Sequence, residues 1–175
     1  MLGGVVRRGA AEATVPVKRA SRPTPLAALI DERAAWRAAG LKVVLTNGCF
    51  DLLHRGHLAL LEMARGTGDV LVVALNSDAS VRALKGGGRP IVPEAERAEV
   101  LLALEAVDRV VVYDEPTPIE VVRALLPDVL AKGADWAADA IVGRPEVERS
   151  GGRVVRVATV PGRSTSAIVD RMRRP

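Results

Sequence analysis

Short runs of consecutive apolar residues, with no polar residue between them, constrain this chain more than any other feature. Lys42–Leu45 ends in Val-Val-Leu, Val70–Leu75 reads Val-Leu-Val-Val-Ala-Leu, Val110–Tyr113 reads Val-Val-Val-Tyr, and Val129–Ala131 reads Val-Leu-Ala. A strand with one wet face alternates apolar and polar residues, so runs without alternation belong to strands covered on both faces. Val154–Val157 is a fifth candidate. Helix patterns lie between the runs. Leu26, Leu29, Ile30, Ala34 and Trp36 space an apolar face that ends at Gly40. A second helix is expected from about Gly56, with Leu58, Leu60, Leu61, Met63 and Ala64 apolar and Gly66 and Gly68 stopping it. Asp78 is expected to cap a helix over Ala79–Leu84, and further helices are expected over Glu94–Ala106, Pro118–Leu126 and Ser164–Arg173. Strands and helices in alternation predict an α/β fold: a doubly wound sheet of about five parallel strands with helices on both faces.

The 175 residues suit one domain, and one cysteine, Cys49, excludes an internal disulfide framework or a multi-cysteine zinc site. No apolar run reaches the ~20 residues of a membrane-spanning helix. The net charge of +4 is misleading. Residues 1–24 hold Arg7, Arg8, Lys18, Arg19 and Arg22 against Glu12 alone, which accounts for all of it. The remaining 20 basic and 20 acidic groups cancel, and two Trp, one Tyr and one Phe leave little for base stacking. Nucleic acid is therefore not an expected partner. Residues 1–24 are expected to be a disordered basic tail, and 25–175 the folded domain.

Ligands of doubly wound sheets bind beyond the carboxyl ends of the strands, near the point where strand order reverses. The first strand is followed by Thr46-Asn47-Gly48-Cys49-Phe50-Asp51-Leu52-Leu53-His54-Arg55-Gly56-His57. Both histidines of the chain lie here, three apart around a glycine at the start of a helix. Gly56 permits close backbone approach, and a helix start favours an anion. Two imidazoles would offer donors to a phosphate. The same spacing also suits a metal, although no third ligand stands nearby, or a structural cap.

His54-x-Gly56-His57 after a strand resembles the HxGH signature of the cytidylyltransferase-like nucleotidyltransferases. Asn76-Ser77-Asp78, Leu84-Lys85-Gly86, Gly88-Arg89-Pro90-Ile91, Arg97, Leu126–Ala131, Lys132-Gly133-Ala134-Asp135-Trp136 and Gly162-Arg163-Ser164-Thr165-Ser166 extend the likeness over residues 25–172. More narrowly, the series resembles the heptose 1-phosphate adenylyltransferase branch. The resemblance implies a Rossmann-like fold and transfer of AMP from ATP to D-glycero-D-manno-heptose 1-phosphate, with Mg²⁺ held mainly by the ATP phosphates. It further implies a cytoplasmic homodimer. In that family the domain is often fused behind a sugar kinase, and this chain is expected to be a stand-alone form.

The resemblance also assigns residues. His54, His57, Lys85, Ser164 and Thr165 would be catalytic. Nucleotide contacts would come from Asn47, Gly48, Cys49, Phe50, Asp51, Gly56, Lys132, Gly133, Asp135, Gly162 and Ser166 as well. Asn76, Asp78, Lys85, Arg89 and Arg97 would bind the second substrate. Read as residues alone, several have plainer roles: Lys85 as a solvated loop lysine, Arg97 as a surface ion-pair partner, Ser164 and Asp135 as helix caps, Asp51 as a support for the His54 turn. The rival branch, glycerol 3-phosphate cytidylyltransferase, carries an Arg-Thr pair where this chain has Thr159-Val160-Pro161. A nucleotide-sensing module that binds without turnover is the non-enzymatic alternative.

Overall fold

The computed structural model describes residues 17–134, 136–158 and 165–172. In chain order these form α1 (Leu26–Ala38), β1 (Val43–Gly48), α2 (Arg55–Arg65), β2 (Val70–Asn76), α3 (Asp78–Lys85), α4 (Glu94–Ala103), β3 (Arg109–Tyr113), α5 (Ile119–Leu125), β4 (Val129–Gly133), α6 (Arg144–Arg149), β5 (Arg153–Val157) and α7 (Thr165–Met172). All five expected strands are present, and their pairings are parallel. Their order is β3-β2-β1-β4-β5. After β3 the chain crosses back to the far side of β1, so strand order reverses between β1 and β4, and a crevice opens at their carboxyl ends.

Both faces of the sheet are covered. Val43 and Leu45 pack on one side with Leu29 and Trp36 of α1 and Val121, Val122 and Leu125 of α5. Val44 packs on the other with Leu61 and Ala64 of α2 and Ala98, Leu101 and Leu102 of α4. Successive strand residues face opposite ways, so a strand with two apolar cores needs every residue apolar. All seven residues of β2, the middle strand of its half, are buried. Gly68 leads into β2 so close to β1 that a Cβ would lie 2.6 Å from Val44 Cγ2 and 2.8 Å from the Lys42 carbonyl oxygen.

Four features differ from expectation. The first concerns the amino-terminal boundary. The Ala20 and Thr24 amides donate to the Asp108 and Val110 carbonyls at 3.1 and 2.8 Å, and Arg109 donates to the Lys18 carbonyl at 2.7 Å. The packed chain therefore starts by Val17, not at residue 25; residues 1–16 lie outside the described part. The second concerns α3, which is capped by Ser77: its hydroxyl accepts the Ser80 amide at 3.1 Å. Asp78 is the first helical residue, and its carboxylate is taken by Arg97. The third is α6, which no periodicity announced because its six residues bury only Val147. The fourth is the end of α4 at Ala103, where Leu104 turns extended. Among the described residues no helix is long and apolar enough to cross a membrane.

Candidate active site

The crevice at the β1/β4 reversal is a cavity of about 550 Å³. Asn47, Gly48, Cys49, Phe50, Asp51, His54, Gly56 and His57 line it from β1 and the turn into α2, Asn76 and Lys85 from β2 and α3, Lys132 and Gly133 from β4, and Thr165 from α7. Residues 48 to 56 reach it because β1 ends between two other strands and α2 begins directly above them. Phe50 makes the turn in the left-handed region, at φ +43°. Its ring fills the space over Gly48, where a Cβ would stand 3.1 Å away, and lies 5.1 Å from the His57 ring.

The two imidazoles stack, with centroids 3.9 Å apart and planes 17° from parallel. His54 caps α2: its Nδ1 accepts the Gly56 amide at 3.1 Å. In the neutral ring the proton is therefore on Nε2. His57 is pushed down to about 4, first by burial, then by His54 and Lys85, against a smaller opposing effect of the Leu52 backbone. It is neutral at pH 7, and its Nδ1 is buried with no well-aligned partner. An imidazole held neutral this way gains its proton readily once an anion arrives, because the anion cancels the repulsion that expelled it.

The depressed value has a consequence for stability. A histidine of ordinary pKa in the unfolded chain takes a proton below pH 6.5, while folded His57 resists until about pH 4. Its contribution is thus complete above pH 6.5 and lost progressively down to pH 4, at a cost of about 3 kcal/mol. Urea titrations across this window should show the decline, and His57→Gln should flatten it. Asp51 acts in a lower window. Burial raises its pKa, but amides of Val92 and Ile91 and the Arg89 guanidinium outweigh this and leave it below the usual range. The stability it contributes is lost only as pH falls below its ordinary value.

Lys85, the last residue of α3, is exposed at the cavity edge, followed by Gly86 at φ +81° and Gly88 at φ +85°. Lys132 is buried, its ammonium 5.3 Å from the Trp136 ring centroid. Thr165, at the start of α7, donates its hydroxyl to the Leu52 carbonyl at 3.3 Å, tying that helix to the histidine turn. Burial raises the Cys49 thiol, against the pull of Lys85 and Arg97, so it is neutral sulfur and no nucleophile. Asp135, Gly162 and Ser164 lie outside the described residues, and for Ser166 only its place in α7 is described.

Three expected substrate contacts are not in the cavity lining: Asp78, Arg89 and Arg97. Arg97 is fully buried. It donates to the Cys49 carbonyl at 2.5 Å, the Asn76 carbonyl at 2.9 Å and the Val92 carbonyl at 2.9 Å, and pairs with Asp78 at 2.7 Å. It clamps the ends of β1 and β2. Arg89 pairs with Asp51 at 2.6 Å, and Asp51 also accepts the Ile91 and Val92 amides at 2.7 and 3.0 Å. Asp51 borders the cavity, yet its carboxylate is spent on the segment before α4. These charges position the turn, and Asp78, Arg89 and Arg97 stand behind the cavity lining rather than in it.

Sequence reasoning missed Tyr113 and Thr46, which line the cavity floor, and the wall formed by Pro116, Thr117 and Pro118. The strand-end rule could have found Tyr113, the last residue of β3. Nothing in the sequence marks the proline segment, which enters only because β3 ends beside β2.

Residues 45–168 match the family model described as cytidylyltransferase-like. Curated relatives include the bifunctional protein HldE of Methylobacillus flagellatus, 55% identical over 137 residues, or 78% of this chain and 28% of that protein. HldE of Azorhizobium caulinodans is 51% identical over 172 residues, covering 98% of this chain and 35% of that one. The chain thus spans about a third of the length of these relatives. Among solved structures, the lipopolysaccharide core biosynthesis protein from Thermoplasma volcanium is similar at a TM-score of 0.59 and 29% identity, over 69% of this chain and 99% of that one.

Proposed function

The chain belongs to the cytidylyltransferase-like family, and from that premise we propose that it transfers AMP from ATP to D-glycero-D-manno-heptose 1-phosphate, forming ADP-heptose and releasing pyrophosphate. The observation that carries the reading is the stacked His54–His57 pair at the head of α2, with His57 held neutral, facing a cavity at the strand reversal. The likeness to HldE proteins and to a lipopolysaccharide core biosynthesis protein supports the substrate.

A sugar phosphate oxygen attacks the α-phosphorus in line, the bond from that phosphorus to the bridging oxygen of pyrophosphate breaks, and pyrophosphate leaves with the electron pair. The nucleophile is already an anion, so no general base is required. What the protein must supply is alignment and relief of charge on the phosphates. His54 Nε2–H and His57 are the donors nearest the α2 start, and Lys85 beside its flexible glycines is the cation able to approach from outside. A cavity of about 550 Å³ has the size of a small-molecule site.

Mg²⁺ is proposed as part of the nucleotide substrate. Asp51, which borders the cavity, and Asp78 are committed to Arg89 and Arg97. Among the described residues no group of three His, Cys, Asp or Glu could hold a metal. The described residues offer no cage, and in this reading the ion would come on the triphosphate. The cytoplasm is the proposed location and a homodimer the proposed assembly, tested by solution mass.

The test is pyrophosphate release with Mg²⁺, crossing ATP and CTP against heptose 1-phosphate, hexose 1-phosphates and glycerol 3-phosphate. Turnover confined to ATP with the heptose is expected. Turnover with CTP and glycerol 3-phosphate would overturn the substrate assignment, and ATP binding without turnover would overturn the enzymatic one.

A further inference from the structure

Besides the imidazoles, Lys85 and Lys132, the cavity lining carries a set of neutral polar groups where β1, β2 and β3 end side by side: Thr46, Asn47, Asn76 and Tyr113. Asn47 Nδ2 donates to the Tyr113 hydroxyl at 3.3 Å. That bond uses the amide's donor end and leaves Asn47 Oδ1 buried with no partner. Tyr113 is 5% exposed, and burial, against the Asn47 and Asn76 side chains, pushes its pKa up to about 12. It therefore keeps its proton. Having accepted from Asn47, the phenol has that proton to donate, and a ligand oxygen would compete for it with the neighbouring Asn76 side chain.

An unsatisfied acceptor beside a phenolic donor matches a group that donates and accepts at one oxygen, which is an alcohol. Neutral groups suit it better than charges, since no ion is being discharged here. Buried polar atoms without partners are rare in folded proteins, and one that lines a cavity marks where a ligand atom completes the bonding.

We propose that Asn47 and Tyr113 form a hydroxyl-recognition pair that selects the acceptor sugar: one sugar hydroxyl donates to Asn47 Oδ1 and accepts from the Tyr113 phenol. The inference rests on the reaction proposed above and extends it from the phosphates to the part of the substrate that carries no charge. A site built to bond a hydroxyl discriminates strongly against the analogue lacking it, because its own polar groups are then left unpaired.

The experiment compares wild type, Tyr113→Phe and Asn47→Ser for acceptor KM and kcat with heptose 1-phosphate and a series of its monodeoxy analogues. ATP affinity is measured separately by calorimetry, and folding by thermal melting. For wild type, one deoxy analogue should lose about 10- to 100-fold in kcat/KM. Tyr113→Phe should lose a similar factor with the full sugar, through KM, and little further with that analogue, while ATP affinity is unchanged. Asn47→Ser should show the same selective loss and keeps the test open should Tyr113→Phe fail to fold. Weakened ATP binding with an unchanged acceptor KM would overturn the proposal and move the pair to the nucleotide. Equal losses across all analogues, or none, would overturn it as well and leave the pair structural. Absence of turnover by wild type with every sugar 1-phosphate would overturn the parent reaction, and that arm reads independently of the variants.

Discussion

His57→Ala is expected to lower the rate of pyrophosphate release by about 10²–10³-fold, the usual cost of removing one donor aimed at charge that develops in a transition state. The geometry supports a loss of that size. His57 is held between the stacked His54 ring at 3.9 Å and the Phe50 ring at 5.1 Å, so its position is fixed before any ligand arrives. It is neutral at pH 7 because burial first, then His54 and Lys85, expel the proton. A group in that state gains interaction with phosphate exactly where negative charge accumulates, without an ion pair to break first. His57→Asn, which keeps one donor, should recover part of the rate. Single-turnover kinetics with saturating ATP check both variants. An alanine variant that keeps wild-type turnover while remaining folded would remove the histidine pair from the mechanism.

The second large effect concerns a residue outside the cavity lining. Arg97→Ala should destabilise the fold by about 3–5 kcal/mol, the range for removing one member of a buried, hydrogen-bonded ion pair. The loss strands the carbonyls of Cys49, Asn76 and Val92 and one oxygen of Asp78 at the same time. Arg97→Lys should recover little, because a single ammonium cannot reproduce a planar fork that reaches three chain segments at once. Urea unfolding measures the stability. ATP affinity should fall with it, since the Cys49 carbonyl belongs to the turn that carries His54. A stable Arg97→Ala variant with normal ATP affinity would show that the turn holds its shape without the clamp.

The strands were readable because burial on both faces demands unbroken apolar residues, and Val70–Leu75 met that demand in sequence and in the sheet. Strand ends were readable too, and with them Asn47, His54, His57, Lys132 and the Thr165 helix, since the winding of the sheet brings successive strand ends to one edge. Helix limits were less so. Asp78 looked like a cap because aspartate often is one, yet a serine one residue earlier did the capping once Arg97 had claimed the carboxylate.

The sequence by itself determined the alternation of strands and helices, the imidazole pair at the head of a helix, and the balance of charge over residues 25–175. Those are local or additive properties: apolar spacing, residue order and charge count need no partner to be defined. Only the tertiary structure decided what each charged or polar side chain does. Arg97 and Asp78 are 19 residues apart, Arg89 and Asp51 are 38 apart, and Asn47 and Tyr113 are 66 apart. A charge pointing into a cavity and a charge clamping its rim are the same letter in a sequence. Which one it becomes depends on whether a carboxylate or carbonyl from a distant segment lies within about 3 Å, and that distance is set by how the strands are ordered in the sheet.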